Sequence, residues 1–169
     1  MNYDIMKNKL ESSVGTKLYN HCLSTMEEAE KLARIYGADE EKAKIAGLLH
    51  DCGKSNNKEE NDNLTHAFSS AMLAKSIYRV DDEEIINAIL YHTTGRKNMT
   101  ILEKIIFIAD KIEKYRHYEG VEDLRKTAYN NIDDALINSL ESTIEYVKRR
   151  DQELNIESIN TLRFLKEKK

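Results

Sequence analysis

The chain has 169 residues, 26 basic and 30 acidic side chains and a formal net charge of −4, with a third of its residues charged and both signs interspersed. That balance argues against a general nucleic-acid clamp or a membrane-surface binder, and no apolar run approaches the roughly 20 residues of a spanning helix. The length suits one domain with one core.

The N-terminus, Met1-Asn2-Tyr3-Asp4, lacks the basic flank and apolar core of a signal peptide, so a cytoplasmic protein is expected. Proline is absent and glycine occurs six times, among abundant Leu, Ile, Ala, Lys and Glu, which predicts an all-α chain.

Ile5, Met6 and Leu10 at helical spacing predict a first helix over Tyr3 to Ser13, broken by Val14-Gly15. Thr16 is the expected N-cap of a second, which carries Leu18, His21, Cys22, Met26, Ala29 and Leu32 on one side and ends at Tyr36 with Gly37 as its cap. Asp39 and the glutamates after it place negative charge at the start of a third helix, whose apolar run stops at His50-Asp51. Ser55 to Asn63 reads as a polar surface loop. Leu64 to Tyr78 reads as a helix with His66 in its first turn.

Asp81 to Glu84 open a fifth helix that ends at His92, followed by a loop, Thr93 to Asn98, in which hydroxyl and basic groups lie together. Thr100 caps the next helix. Its interior, Ile105 to Ala109, is apolar on every side and is the expected central helix, interrupted at Asp110. Val121 to about Arg150 predicts one broken helix or two consecutive ones, and Ser158 the cap of a last short helix.

Cys22 and Cys52 each follow a candidate ligand, His21 and Asp51. Successive helical positions point about 100° apart, so the thiols are expected to face away as small buried hydrophobes.

Several apolar runs thus end at, or are interrupted by, a lone ligand type: His21, His50-Asp51, His92 and Asp110, with His66 beside them. In a bundle these interruptions must meet, because burying each separately would cost about 1–3 kcal/mol per unpaired group. Convergence on a metal removes that cost. Imidazole and carboxylate donors without thiolate suit Fe, Mn or Zn, and six such groups suffice for two ions, with Asp51 the natural bridge. A binuclear site about 3.5–4 Å across generates hydroxide near neutral pH and clamps both oxygens of a phosphoryl displacement.

The order His21, His50-Asp51, Asp110 resembles the signature of the HD-domain phosphohydrolases, and His66 and His92 fall where binuclear members carry further histidines. Tyr91-His92-Thr93-Thr94-Gly95-Arg96, followed by Leu102 to Glu113, closely resembles the YqeK-type symmetrical bis(nucleosyl)-tetraphosphatases within that superfamily. The match runs from about Lys17 to Arg116, with a weaker echo at Asn160-Thr161-Leu162-Arg163. Lys114 stands where the family usually has proline, which is expected to loosen the turn without removing a ligand.

The resemblance implies a single-domain HD-type helical bundle over residues 1–169, with a motif core at 17–116 completed by C-terminal helices at 121–169. It implies hydrolysis of diadenosine tetraphosphate to two ADP, with iron, in a mono- or binuclear site, as the metal. His21, His50, Asp51 and Asp110 would hold the first ion, and His66 and His92 a second ion or phosphate oxygens. Asp51 and Lys54 would act in catalysis, Lys54 neutralising the phosphate chain one turn beyond Asp51. Arg96 and Arg116 could do so with bidentate contacts, and Thr93 and Thr94 donate to phosphate or cap the loop. Thr161 to Leu165, including Arg163, would close over a base.

The expected partners are a dinucleoside polyphosphate and an ADP or GDP product, with a homodimer as the assembly and no membrane or stable nucleic-acid partner. His50-Asp51-Cys52-Gly53-Lys54 also resembles a segment of cyclic di-nucleotide phosphodiesterases and some RNases. The former carry a Gly-Tyr-Pro element that a proline-free chain lacks. Other nucleotide-cleaving HD enzymes and a non-catalytic nucleotide-sensing module are the remaining alternatives.

Overall fold

Asp39, Asp82 and Thr100 each start a helix by the same device, a side-chain oxygen accepting from a backbone N–H of the first turn that has no helical partner. Asp39 accepts from Lys42, Asp82 from Glu84 and Ile85, and Thr100 from Glu103, whose carboxylate returns to the Thr100 N–H and completes a capping box. In the computed structural model, which describes residues 2–54 and 65–168, every regular element is a helix. They are α1 (Tyr3–Ser13), α2 (Thr16–Tyr36), α3 (Glu40–Leu49), α4 (Thr65–Ser76), α5 (Glu83–Leu90), α6 (Ile101–Ile112), α7 (Val121–Asn130), α8 (Ile132–Arg149) and α9 (Ile156–Glu167). The expected loop Ser55–Asn63 and the expected helix start at Leu64 lie outside the described residues.

Two cap assignments are corrected. Gly15, with no side-chain bond, is the N-cap of α2 and Thr16 its first helical residue. Asn155, accepting from Glu157 N–H, caps α9, and Ser158 lies buried within its first turn. Gly15, one residue before Thr16, and Asn155, three before Ser158, already adopt the extended conformation, so each helix is capped earlier than expected. The C-terminal half resolves into two helices because Asn131 is extended (φ −151°) and its side chain caps α8 by accepting from Asp133 and Asp134.

α6 is the axis of the molecule. Leu102, Ile105, Ile106, Phe107, Ile108, Ala109 and Ile112 are all buried, and α2, α3, α5, α7 and α8 pack around them. Each large side chain so buried contributes roughly 1.5–3 kcal/mol. α2 and α3 approach closely at Gly47, where a Cβ would lie 2.9 Å from the Met26 Cα. α9 returns over the loop after α5. There Gly95 takes φ +66°, and a Cβ on it would meet the Thr161 methyl at 2.8 Å, while the Thr161 hydroxyl donates to the Thr94 carbonyl at 3.4 Å. No helix among the described residues is long and apolar enough to cross a membrane.

Candidate metal centre

The turn after α3 delivers two donors from adjacent positions, and its shape depends on α4. Gly53 N–H donates to Ser70 Oγ at 2.9 Å, and a Cβ at Gly53 would lie 2.5 Å from the Ser70 nitrogen, so only glycine lets the turn sit this close. His50, fully buried, donates Nδ1–H to the Gly47 carbonyl at 2.7 Å. His92 does the same to the Ile89 carbonyl, also at 2.7 Å. Each bond fixes the tautomer and leaves an unprotonated Nε2 pointing away from its own backbone, as metal-binding imidazoles are held.

α2 contributes His21 and α6 contributes Asp110. His21 Nε2 lies 3.1 Å from His50 Nε2, 3.1 Å from Asp110 Oδ1 and 3.7 Å from Asp51 Oδ2. His50 Nε2 lies 3.5 Å from Asp51 Oδ2 and 3.6 Å from Asp110 Oδ1. The other oxygen of Asp51, Oδ1, faces Nε2 of both His66 and His92 at 3.4 Å. Two donor groups, His21/His50/Asp51 and Asp51/His66/His92, therefore share one carboxylate.

These donors fit a metal. Ligand atoms about 2.1 Å from a common ion at tetrahedral or octahedral angles lie about 3.0–3.4 Å apart, close to the separations seen. Asp51 Oδ1 is buried and makes no hydrogen bond among the described residues, a costly state that a cation relieves. Burial would push the carboxyls of Asp51 and Asp110 upward. The imidazoles around Asp51, and Lys111 with His21 beside Asp110, override burial and hold both groups well below the usual carboxylate range. Burial keeps His50 low, hence neutral. For His21 burial is outweighed by Asp110 and Glu113, and its pKa is raised. The thiols take no part: Cys22 and Cys52 are buried and unpaired, and burial pushes Cys52 up to about 12.

Three cations border the donors. Lys54 Nζ is 2.9 Å from Asp51 Oδ2, Lys111 Nζ 3.0 Å from Asp110 Oδ2, and Arg116 Nη2 2.7 Å from Asp110 Oδ1. Arg125 of α7 holds the segment that carries Arg116, donating to the carbonyls of Ile112, Glu113 and Arg116.

The other expected phosphate contacts are placed differently. Arg96 is engaged by the buried Glu103, through Nε at 3.0 Å and Nη2 at 2.5 Å, and lies over the Tyr91 ring. Thr93 is half-buried directly after His92. The Thr94 hydroxyl is buried and donates to the Gly95 carbonyl within the loop. Arg163 sits on the exposed side of α9.

Lys111 and Glu113 were not among the candidates singled out in the sequence. Glu113, buried, accepts from His21 Nδ1 at 3.2 Å and from Tyr115 N–H at 2.7 Å. It lies three positions beyond Asp110, about one turn along the same side of the chain, a spacing that its charged neighbours mask. Lys114, at the position where proline was expected, donates its backbone N–H to Ser24 Oγ at 3.2 Å. Far from loosening the turn, the lysine ties it to α2 through a donor that proline lacks.

The family model described as HD domain matches residues 18–115. The chain belongs to the HD-domain family. Among HD-domain relatives, "Bis(5'-nucleosyl)-tetraphosphatase, symmetrical" of Halalkalibacterium halodurans is 37% identical over 160 residues, covering 85% of this chain and 86% of that protein. The Bacillus subtilis protein of the same name is 38% identical over 151 residues, covering 79% and 81%. A crystal structure from Clostridium acetobutylicum, titled a "predicted HD superfamily hydrolase involved in NAD metabolism", superposes with a TM-score of 0.94 at 39% identity, covering 100% of this chain and 99% of the other.

Proposed function

We propose that this HD-domain chain, a single domain over residues 1–169, is a symmetrical bis(5'-nucleosyl)-tetraphosphatase that cleaves diadenosine tetraphosphate to two ADP. The observation that carries the reading is the pair of donor groups joined through Asp51 and bordered by Lys54, Lys111 and Arg116. Relatives named for this activity align over most of the chain.

His21, His50, Asp51 and Asp110 would hold one divalent ion, and Asp51, His66 and His92 a second. Iron is the proposed native metal, with manganese or zinc as alternatives of the same donor preference. Such ions supply Lewis acidity toward phosphoryl oxygens and lower the pKa of water. The chain's own residues do the rest. His50 and His92 keep their inward nitrogens unprotonated by donating from Nδ1 to backbone carbonyls. Lys54, Lys111 and Arg116 offset the charge of the polyphosphate, and Lys54 stabilises the charge that builds on the departing diphosphate. With the central anhydride at Asp51, a nucleoside diphosphate lies on either side and both products are the same, ADP or, for a guanosine dinucleotide, GDP.

Thr93 and Arg163 are proposed substrate contacts from opposite sides of the loop after α5, with Arg96 ordering that loop through Glu103. The proposed assembly is a homodimer, for which exposed Phe68 and Met72, one turn apart on α4, offer apolar surface. The proposed compartment is the cytoplasm, in keeping with two unpaired thiols.

The test is product analysis on protein purified without chelators, together with its metal content. Two ADP per dinucleotide are expected, with no phosphate released from mononucleotides. AMP with ATP as products, or phosphate release from mononucleotides alone, would reject the reading.

A further inference from the structure

A groove between α7 and α8 encloses about 620 Å3, within the roughly 300–1,000 Å3 of small-molecule sites. Lys111 lines it, and the same lysine reaches Asp110 Oδ2. Tyr118, also in the lining, donates its hydroxyl to the Lys111 carbonyl at 2.9 Å. Lys111 thus links the groove to Asp110. A second cavity, beside Arg96, is about 170 Å3, below what a nucleoside needs.

The lining says what kind of group fits. Its charged members are Lys111 and Arg149 against Glu119, Asp123 and Glu145, so a polyphosphate would meet more repulsion than attraction there. A neutral group rich in hydroxyls would find carboxylate acceptors instead. Tyr118 and Tyr146 are 46% and 54% exposed and both line the groove, and the Arg150 guanidinium lies 4.8 Å from the Tyr146 ring centre. Exposed aromatic rings beside a phosphate-handling centre are stacking platforms for bases. Asn138 on α8 adds an amide that can both donate and accept along a base edge.

We propose that this groove holds one nucleoside of the dinucleotide, its base against Tyr146 and Tyr118 and its ribose hydroxyls toward the carboxylates, while the attached phosphates pass Lys111 to reach Asp51. The proposal rests on the hydrolytic reading above. It adds that a substrate with a nucleoside at each end is gripped in two places, and that Tyr118 and Tyr146 determine preference for dinucleotides over mononucleotides.

The test compares diadenosine tetraphosphate with adenosine 5'-tetraphosphate, which has the same phosphate chain and one nucleoside. Tyr146→Ala should raise KM for the dinucleotide about 5- to 100-fold, the loss of one stacked base, and leave the constant for inhibition of dinucleotide hydrolysis by the mononucleotide within about threefold, since that molecule can bind with its nucleoside on the other side. Tyr146→Phe, which keeps the ring, should restore the dinucleotide KM to within about twofold. Ser142→Trp, at an exposed groove position, should mimic Tyr146→Ala by filling the space. Unchanged dinucleotide KM in both Tyr146→Ala and Ser142→Trp, or equal losses for both molecules, overturns the groove as a nucleoside site. A wild-type enzyme that leaves the dinucleotide intact overturns the hydrolytic reading itself, and this one with it.

Discussion

The two donor groups that meet at Asp51 are built unequally. The first offers four protein donors, His21, His50, Asp51 and Asp110, two of them carboxylates. Glu113 stands behind His21, and Arg125 pins the segment that carries Glu113 and Arg116. The second has three donors, His66, His92 and the remaining oxygen of Asp51. A site with more donors and more negative charge binds an ion more tightly, whereas one with fewer protein ligands keeps positions open for water and substrate. From this difference we propose a division of labour in which the first group would anchor an ion and the second would exchange one.

The largest effect should come from the residue both groups share. Asp51→Asn removes the charge from both, and we expect loss of bound metal together with a fall in dinucleotide hydrolysis of about 10³-fold or more, at the upper end of what one preorganised polar group contributes. The helical circular dichroism signal should persist. Retention of two ions per chain by this variant would break the shared-ligand picture.

The next pair separates the groups. His50→Ala should empty both, because the anchoring ion orients Asp51. His92→Ala should lose one ion of two and reduce turnover about 10²-fold. A chelator titration of the unaltered protein, followed by metal content, should likewise remove one equivalent well before the other. Simultaneous loss, or loss of both ions in His92→Ala, would show the groups to be equivalent and defeat the division of labour.

The legibility of the two groups in the sequence also differs, for a physical reason. The candidates His21, His50-Asp51, His92 and Asp110 stood out because each ends or interrupts an apolar run, as His50 does after Leu48-Leu49 and Asp110 after Ile105 to Ala109, whereas His66, in the first turn of its helix, carried no such signal. The start of α6 was readable because a capping box is local, four residues from Thr100 to Glu103. Glu113 was not, since it lies among Lys111, Lys114 and Arg116 and looks like part of a solvated charge run. Only the packing of α6 against α2 buries it. Arg96 was assigned to phosphate because nothing in its own loop shows that α6 turns Glu103 back toward it. What pattern cannot convey is which polar neighbours the tertiary fold pairs off.

Glu113→Gln tests the bracing of the anchor. The amide keeps the size, but with one acceptor oxygen in place of two it can accept from only one of His21 Nδ1 and Tyr115 N–H, and it loses the charge facing His21. Loss of such an orienting partner lowers metal affinity about 10- to 100-fold. The deficit should fall on the more tightly held ion alone, be visible in the chelator titration, and be recovered in the activity assay by excess metal. An equal weakening of both ions would place Glu113 outside the anchor.

The smallest effect is expected at Lys114→Pro. Proline removes the N–H that Lys114 donates to Ser24, a bond worth about 1 kcal/mol, and the solvent-exposed pair with Glu27, which contributes little. It returns part of this by restricting the unfolded chain. The preceding residue already suits proline, since Glu113 has φ −54° and ψ 159°. Thermal unfolding should therefore shift down by no more than about 4 °C, with affinity for the anchoring ion reduced less than in Glu113→Gln. A larger metal defect than that of Glu113→Gln would mean that the backbone tie to α2, rather than the carboxylate, is what holds His21 in place.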